Sequence, residues 1–397
     1  MRRLLQDSIF QSEILCRRLP YGKTTSRRHR GVSMLGVIGI HVGSQYLMNP
    51  ASNAHLTALF EIATRFSVPI FFFISAFGIF YNMDLSKPFS YSQFLRKRSR
   101  AVVIPYLVWS LFYLVHDGWL YGVGFPAPLS LLSALFFGNA KYQLYFLVLL
   151  IWFYLLMPLW IPIVKNIGGR GLLLLFALQV AFDYFSSFNV AFNTMVYGME
   201  NPILKSFLLY RLNYWVMHYV FIFVIGGYLA VYFDTFREFM QKHRTGIVAF
   251  FAASLAALLG YYYFLLTFRG YTQMDAINTA HQLCPLGIVY TLAASLFFFT
   301  IFTEQTYPRT LDRLLSLLGR HSYFAYLAHP FFIGYMMLTL EHRGIIMTAP
   351  KAIAFYILTV VLTIAAAVVF RRLGEKIPFL NSITIGIYPK KNKRGSA

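Results

Sequence analysis

Arg30 and His41 stand eleven residues apart, the arginine closing a basic amino-terminal segment and the histidine in the middle of the first long apolar stretch. On a helix, eleven residues at 100° each return to within about 20° of the starting face while climbing about 16 Å. An imidazole then lies near a bilayer's midplane, above a guanidinium. Titratable side chains are costly in hydrocarbon, so one found there is read first as a functional group. The alternative is a structural histidine bonded to a neighbouring helix. With an unperturbed pKa of about 6.5, imidazole can take a proton from a hydroxyl near neutral pH, which suits acyl transfer.

Other residues could join such chemistry. FLRKRSRAVVIPYLVW places Arg96, Lys97, Arg98 and Arg100 within five residues. Arginine forks recognise phosphate bidentately, so a cytosolic phosphate-bearing donor could meet Arg30, Lys97, Arg98 and Arg100 together. The same charges also read as an ordinary flank of a membrane span. Glu61 and Arg65 are four apart and share a helical face, either to neutralise each other or to serve a site directly. Asp183 falls near mid-membrane and could orient a histidine as a triad carboxylate does. His329 lies at a depth like that of His41, directly before Pro330, where a structural hydrogen bond is the competing role. His116 and Asp117 sit near an outer helix end, in reach of an extracytoplasmic acceptor. Glu61, Arg65, Asp183 and His329 are therefore supporting candidates beside His41.

Several chemistries are set aside. There is no GxSxG elbow, no HExxH helix and no GxxxxGK[ST] loop. Cys16 and Cys284 are too few for a disulfide framework and spaced for no zinc site, so no metal is expected. No tightly bound cofactor is expected either.

The elements that must hold these residues follow from composition. With 58% hydrophobic and 12% charged residues, against about 25% charged in a soluble domain, the chain reads as an all-α polytopic membrane protein. The net charge of +21 punctuates apolar segments and forms no basic face, so nucleic acid is not the expected partner. Spans of about twenty residues fall near 31–50, 57–82, 101–120, 143–163, 171–189, 214–232, 246–267, 284–303, 321–340 and 351–370. The tails and alternate loops carry 28 of the 35 basic residues, which predicts both termini cytoplasmic. The expected organisation is a basic segment (1–30) without a cleavable signal peptide, one ten-helix domain (31–370) and a basic tail (371–397). Basic tails also gain attraction to the anionic inner leaflet. Gly39 and Gly43 form a GxxxG pair on the face opposite His41, leaving Arg30, His41 and Gln45 toward an interior cleft.

In order and spacing, Arg30 with His41, FSVPIFFFISAFGIFY, the basic loop ending in IPYLVW, YQLYFLVLLIWFYLLMPLW, VIGGYLA and LGRHSYFAYLAHP resemble the membrane-bound acyltransferase 3 family. The similarity is nearest its subgroup around the polysaccharide intercellular adhesin modification proteins. The resemblance implies a ten-helix domain that moves an acyl group, commonly acetyl, from cytosolic acyl-coenzyme A to a hydroxyl of a sugar or lipid-linked glycan at the outer face. It also implies that the Arg30 and His41 pair is the functional signature. The chain departs from the pattern at Lys97, which stands for one of the family's paired arginines, and at Ala76, Ala101 and Gln143. These departures bear on the donor contact and the acceptor. A bacterial cell membrane, and glycan-synthesis machinery as neighbour, complete the expectation. The rival is an exporter or flippase of a polysaccharide or lipid-linked precursor, against which stands the lack of a repeated pair of interrupted helices.

Overall fold

A computed structural model describes residues 23–304 and 307–388; the segment 1–22 with Cys16, and the end of the basic tail from 389, lie outside the described residues. Among the described residues every regular element is helical. Each expected span has a helix at its place. They are α1 (Lys23–Leu47), α2 (Ala54–Tyr81), α3 (Tyr91–Leu120), α4 (Tyr145–Leu155, continued by Met157–Asn166 after a 69° bend) and α5 (Gly169–Phe188). They continue with α6 (Val216–Val231, followed at 96° by Phe233–Lys242), α7 (Arg244–Thr267), α8 (Pro285–Glu304), α9 (Arg309–His342) and α10 (Ala349–Lys376). Seven of these are long and apolar enough to cross a membrane, and the two bent pairs raise the number to nine. The chain is an all-α, multi-pass membrane protein. α1 stands apart because Arg30, His41, Ser44 and Gln45 interrupt its apolar surface.

Two helices, α3 and α9, begin inside segments that the sequence reads as basic loops. α3 starts at Tyr91, so the basic loop is its first turns, and a π-turn at Ser99–Val103 precedes Pro105, whose ring removes one backbone donor. α9 runs for 34 residues, about 51 Å, longer than a hydrocarbon core of about 30 Å requires. A short helix, Pro378–Ile385, folds back against the bundle, and Thr384 O accepts from Trp109 Nε1 at 3.0 Å.

α1 is the hub. It crosses α9 so closely that a Cβ at Gly319 would lie 1.8 Å from Arg27 O. On the other side, a Cβ at Gly43 would meet Phe60 and Glu61 of α2 at 2.8 and 2.9 Å, whereas Gly39 has nothing nearer than 3.5 Å. The expected GxxxG pair is therefore half used: Gly43 sets the α1–α2 approach and Gly39 does not.

α2 is irregular at mid-membrane. A π-turn (Ala58–Ile62) and a 3-10 turn (Arg65–Ser67) precede Pro69. Irregular backbone survives in a membrane only where protein or an aqueous cavity satisfies it. Here Tyr290 OH donates to Ala63 O at 2.6 Å, and Ser67 N–H donates to Thr64 O at 2.9 Å. The break turns Arg65 toward α1.

Candidate functional site

A chamber of about 350 Å³ opens beside His41. α1 contributes His41, Ser44 and Gln45; the break in α2 contributes Arg65; the loop before α4 contributes Tyr142 and Gln143, and the start of α4 Tyr145 and Phe146; His281 and Gln282 come from before α8, and Tyr326 from α9. The His41 ring packs between Tyr142, at 4.6 Å between centroids, and His329, at 5.1 Å and 24°. His329 is wholly buried, and its Nδ1 donates to Ala325 O at 3.0 Å. A carbonyl can only accept, so the neutral ring carries its proton on Nδ1 and its lone pair on Nε2. Pro330 contributes no N–H, which leaves the carbonyl of Tyr326 without its helical donor, and His329 reaches that carbonyl as well. The residue thus has both a structural anchor and a place against His41.

Glu61 and Arg65 form an ion pair, Nη2 to Oε2 at 3.1 Å, with Glu61 buried. Ser44 Oγ donates to Glu61 Oε1 at 2.8 Å, so the carboxylate is held from two sides. Pairing neutralises the charges, and Arg65 still lines the chamber. A guanidinium there can stabilise negative charge developing on an oxygen, and the paired carboxylate keeps the free site near neutral. Together, His41, Arg65 and several neutral polar groups can thus deprotonate a hydroxyl and stabilise an oxyanion.

A second cavity, about 370 Å³, opens toward the basic side. Arg30 and Arg98 stand among its lining residues with Ser26, Ser75 and Ser322, and apolar walls from Phe71, Ile74, Leu147 and Leu150 lead inward. Arg98 lies over the rings of Phe94 and Tyr154 at 5.1 and 5.0 Å, which fixes its guanidinium. Lys97 and Arg98 also line an adjoining cup, shared through Gly78, Ile79 and Ala101. Arg100 faces elsewhere, over Tyr388 at 5.4 Å, so of the basic cluster only Lys97 and Arg98 are brought to the cavities.

Asp183 orients a histidine, but that histidine is His218. Its Nδ1 donates to Asp183 Oδ1 at 2.5 Å, Ser186 Oγ is 3.4 Å from Nε2, and Arg211 Nε donates to Ser186 O and Oγ at 3.0 and 3.1 Å. His116 and Asp117 form a rim network. Asp117 accepts from His116 Nδ1 at 2.8 Å and from Lys141 at 2.6 Å, which ties the loop carrying Tyr142 and Gln143 to α3. Sequence reasoning missed His281, Tyr142 and Tyr326. The first two lie in connections between spans, where periodicity carries no signal, and Tyr326 is one of many aromatics in α9. His281 Nδ1 accepts from Leu283 N–H at 3.4 Å. Among the described residues no group of three His, Cys, Asp or Glu could hold a metal ion.

The chain is similar to proteins named "probable poly-beta-1,6-N-acetyl-D-glucosamine export protein" in Staphylococcus aureus strains MRSA252 and MSSA476. Each is 23% identical over 243 residues, which is 60% of this chain and 61% of the relative. The chain thus spans about three fifths of the length of these curated relatives. No solved structure matches it. Residues 29–372, most of the chain and all the elements that build the two cavities, match the acyltransferase domain of the acyltransferase 3 family, and the chain belongs to that family.

Proposed function

We propose that the protein is a membrane O-acyltransferase that moves an acyl group, acetyl in the simplest case, from cytosolic acyl-coenzyme A to a hydroxyl of a cell-surface or exported glycan. The observation that carries this reading is the adjacency of two cavities that share Phe146 and Tyr326: one has Arg30 and Arg98 at its basic end, the other holds His41 with Arg65. Donor phosphates engage Arg30, Lys97 and Arg98, and the pantetheine arm runs inward past the serines, whose hydroxyls suit its amides. His41 takes the proton of the acceptor hydroxyl as its oxygen attacks the thioester carbonyl. Negative charge on the former carbonyl oxygen is stabilised by Arg65. The carbon–sulfur bond then breaks, and the departing thiolate takes the proton back from His41. Bacterial plasma membrane is the proposed location, with a glycan or lipid-linked sugar as acceptor. The test is acetyl-coenzyme A consumption by purified protein with and without candidate glycans. Acceptor-dependent thioester loss that vanishes in His41→Ala supports the proposal, and glycan acylation retained in that variant ends it.

The second reading is export, favoured by the printed names of the Staphylococcus relatives. The sequence shows no repeated pair of interrupted helices, but the bends in α4 and α6 and the irregular turns of α2 suit this reading, since many transporter sites use a pair of broken helices. Glycan movement across vesicles without thioester loss would favour export.

A further inference from the structure

The two cavities share two lining residues, Phe146 and Tyr326. Their rings meet nearly edge to face, with centroids 5.6 Å apart at 66°, and both side chains are buried. The backing differs on the two sides. The Tyr326 hydroxyl donates to the main-chain carbonyl of Gln143, which ties α9 to the loop before α4. Phe146 has no polar atom on its side chain and packs against the rings of Phe72 at 4.8 Å and Phe71 at 5.8 Å. One ring is anchored by a polar bond and the other by packing alone.

This wall stands between a cavity ending in Arg30 and Arg98 and a chamber lined by Ser44, Gln45, His281 and Gln282. Joined, the two would make a polar path through a hydrocarbon core of about 30 Å. We propose that Phe146 and Tyr326 are the specificity-determining wall between the two sides. The wall keeps water and ions of the outer chamber out of the inner channel, and Phe146 is the leaf that yields when the end of a donor reaches His41. The part that concerns the donor rests on the acyltransferase reading; the barrier does not. With the wall breached, chamber water replaces the acceptor: its oxygen attacks the thioester carbonyl, the carbon–sulfur bond breaks, and the thiolate leaves as thiol with the proton His41 took from the water.

Two measurements on purified full-length protein test this. In liposomes with a trapped pH dye, an acid pulse should leave wild type tight and collapse at least tenfold faster with Phe146→Ala. Phe146→Leu, which keeps a large apolar side chain, should stay close to wild type. In detergent without acceptor, Phe146→Ala should hydrolyse acetyl-coenzyme A about tenfold faster than wild type. Phe146→Val removes the ring with less loss of packing and carries both tests if the alanine variant does not fold. A folded Phe146→Ala or Phe146→Val as tight as wild type overturns the wall, and so does a leak as large in Phe146→Leu. If wild type and variants consume no thioester with any acceptor, the acyltransferase reading fails, and the liposome comparison still decides the barrier.

Discussion

Two histidines of this protein sit in opposite settings. His218 has the connectivity of a hydrolase triad, with Asp183 on Nδ1 and the Ser186 hydroxyl toward Nε2, yet all three side chains are wholly buried and line neither cavity of the site. Among the described residues no carboxylate bonds the His41 ring, which faces a chamber with a guanidinium across from it. A hydrogen-bond pattern shows how a base would be oriented, and a cavity shows whether a substrate can reach it. In a bilayer the first arises without the second, because every buried polar group must find a partner inside the protein. The Asp183 cluster solves that problem for the outer half of α5: Arg211 donates to Leu208 O and Asn193 Oδ1 as well as to Ser186.

Exchanging the two histidines for alanine should separate the settings most sharply. His41→Ala is expected to lower acyl transfer about 10³-fold, as loss of a general base does, with little change in unfolding temperature. His218→Ala should do the reverse. It strands Asp183 without its donor at a wholly buried position, at a cost of roughly 3 kcal/mol, while the folded fraction keeps its turnover. Thioester consumption and thermal unfolding in the same detergent check both. If His218→Ala lowers turnover of folded protein as far as His41→Ala does, the two settings are one site.

Arg65 tests the charge in the chamber. Arg65→Gln should reduce kcat about 10²-fold, in the range for losing an oxyanion donor, and should also destabilise the protein because Glu61 loses its partner. Adding Glu61→Gln should restore stability and leave the rate low. A rate that returns with stability would make Arg65 a counter-ion alone. Arg98→Ala acts further from the chemistry. It should raise KM for acyl-coenzyme A about fivefold, more at low salt, with kcat held, since phosphate contacts bind ground and transition states alike. Arg100→Ala, whose guanidinium faces Tyr388, should leave both constants alone.

What could be read from the sequence follows the physics of each residue. The helices at the ten expected places were legible because hydrocarbon thickness sets a length, and seven to nine of them are long and apolar enough to cross a membrane. Arg30 and His41 were legible because one helix carries both, and helical periodicity converts spacing into geometry. Glu61 and Arg65 were legible as an i,i+4 pair, but their place in the chamber depends on a π-turn and a 3-10 turn that no spacing reveals. Asp183 was legible as a carboxylate in need of a histidine; which one depends on whether α5 packs against the start of α6 or against α1, and helix adjacency is a tertiary fact. His281 and Tyr142 lie in connections and became visible only when the bundle closed around them. The basic cluster shows the same limit in small: Arg98 and Arg100 are two residues apart, and helical geometry sends one to the cavity and the other to Tyr388.

The smallest expected effect is the most exacting for the comparison. If the Asp183 cluster were a working triad that opens during turnover, Ser186 would carry the acyl group, and Ser186→Ala would be as damaging as His41→Ala. If it is a sealed network, the hydroxyl contributes one hydrogen bond to His218 and accepts one from Arg211, and it is the least of the cluster's ties. Arg211 keeps Ser186 O, Leu208 O at 2.7 Å and Asn193 Oδ1 at 2.6 Å without it. His218 keeps Asp183. Ser186→Ala should therefore cost about 1 kcal/mol of stability and change the rate of acyl transfer less than twofold. A folded Ser186→Ala protein with transfer reduced a hundredfold would mean that the buried triad gains access to substrate, and that connectivity was the better guide after all.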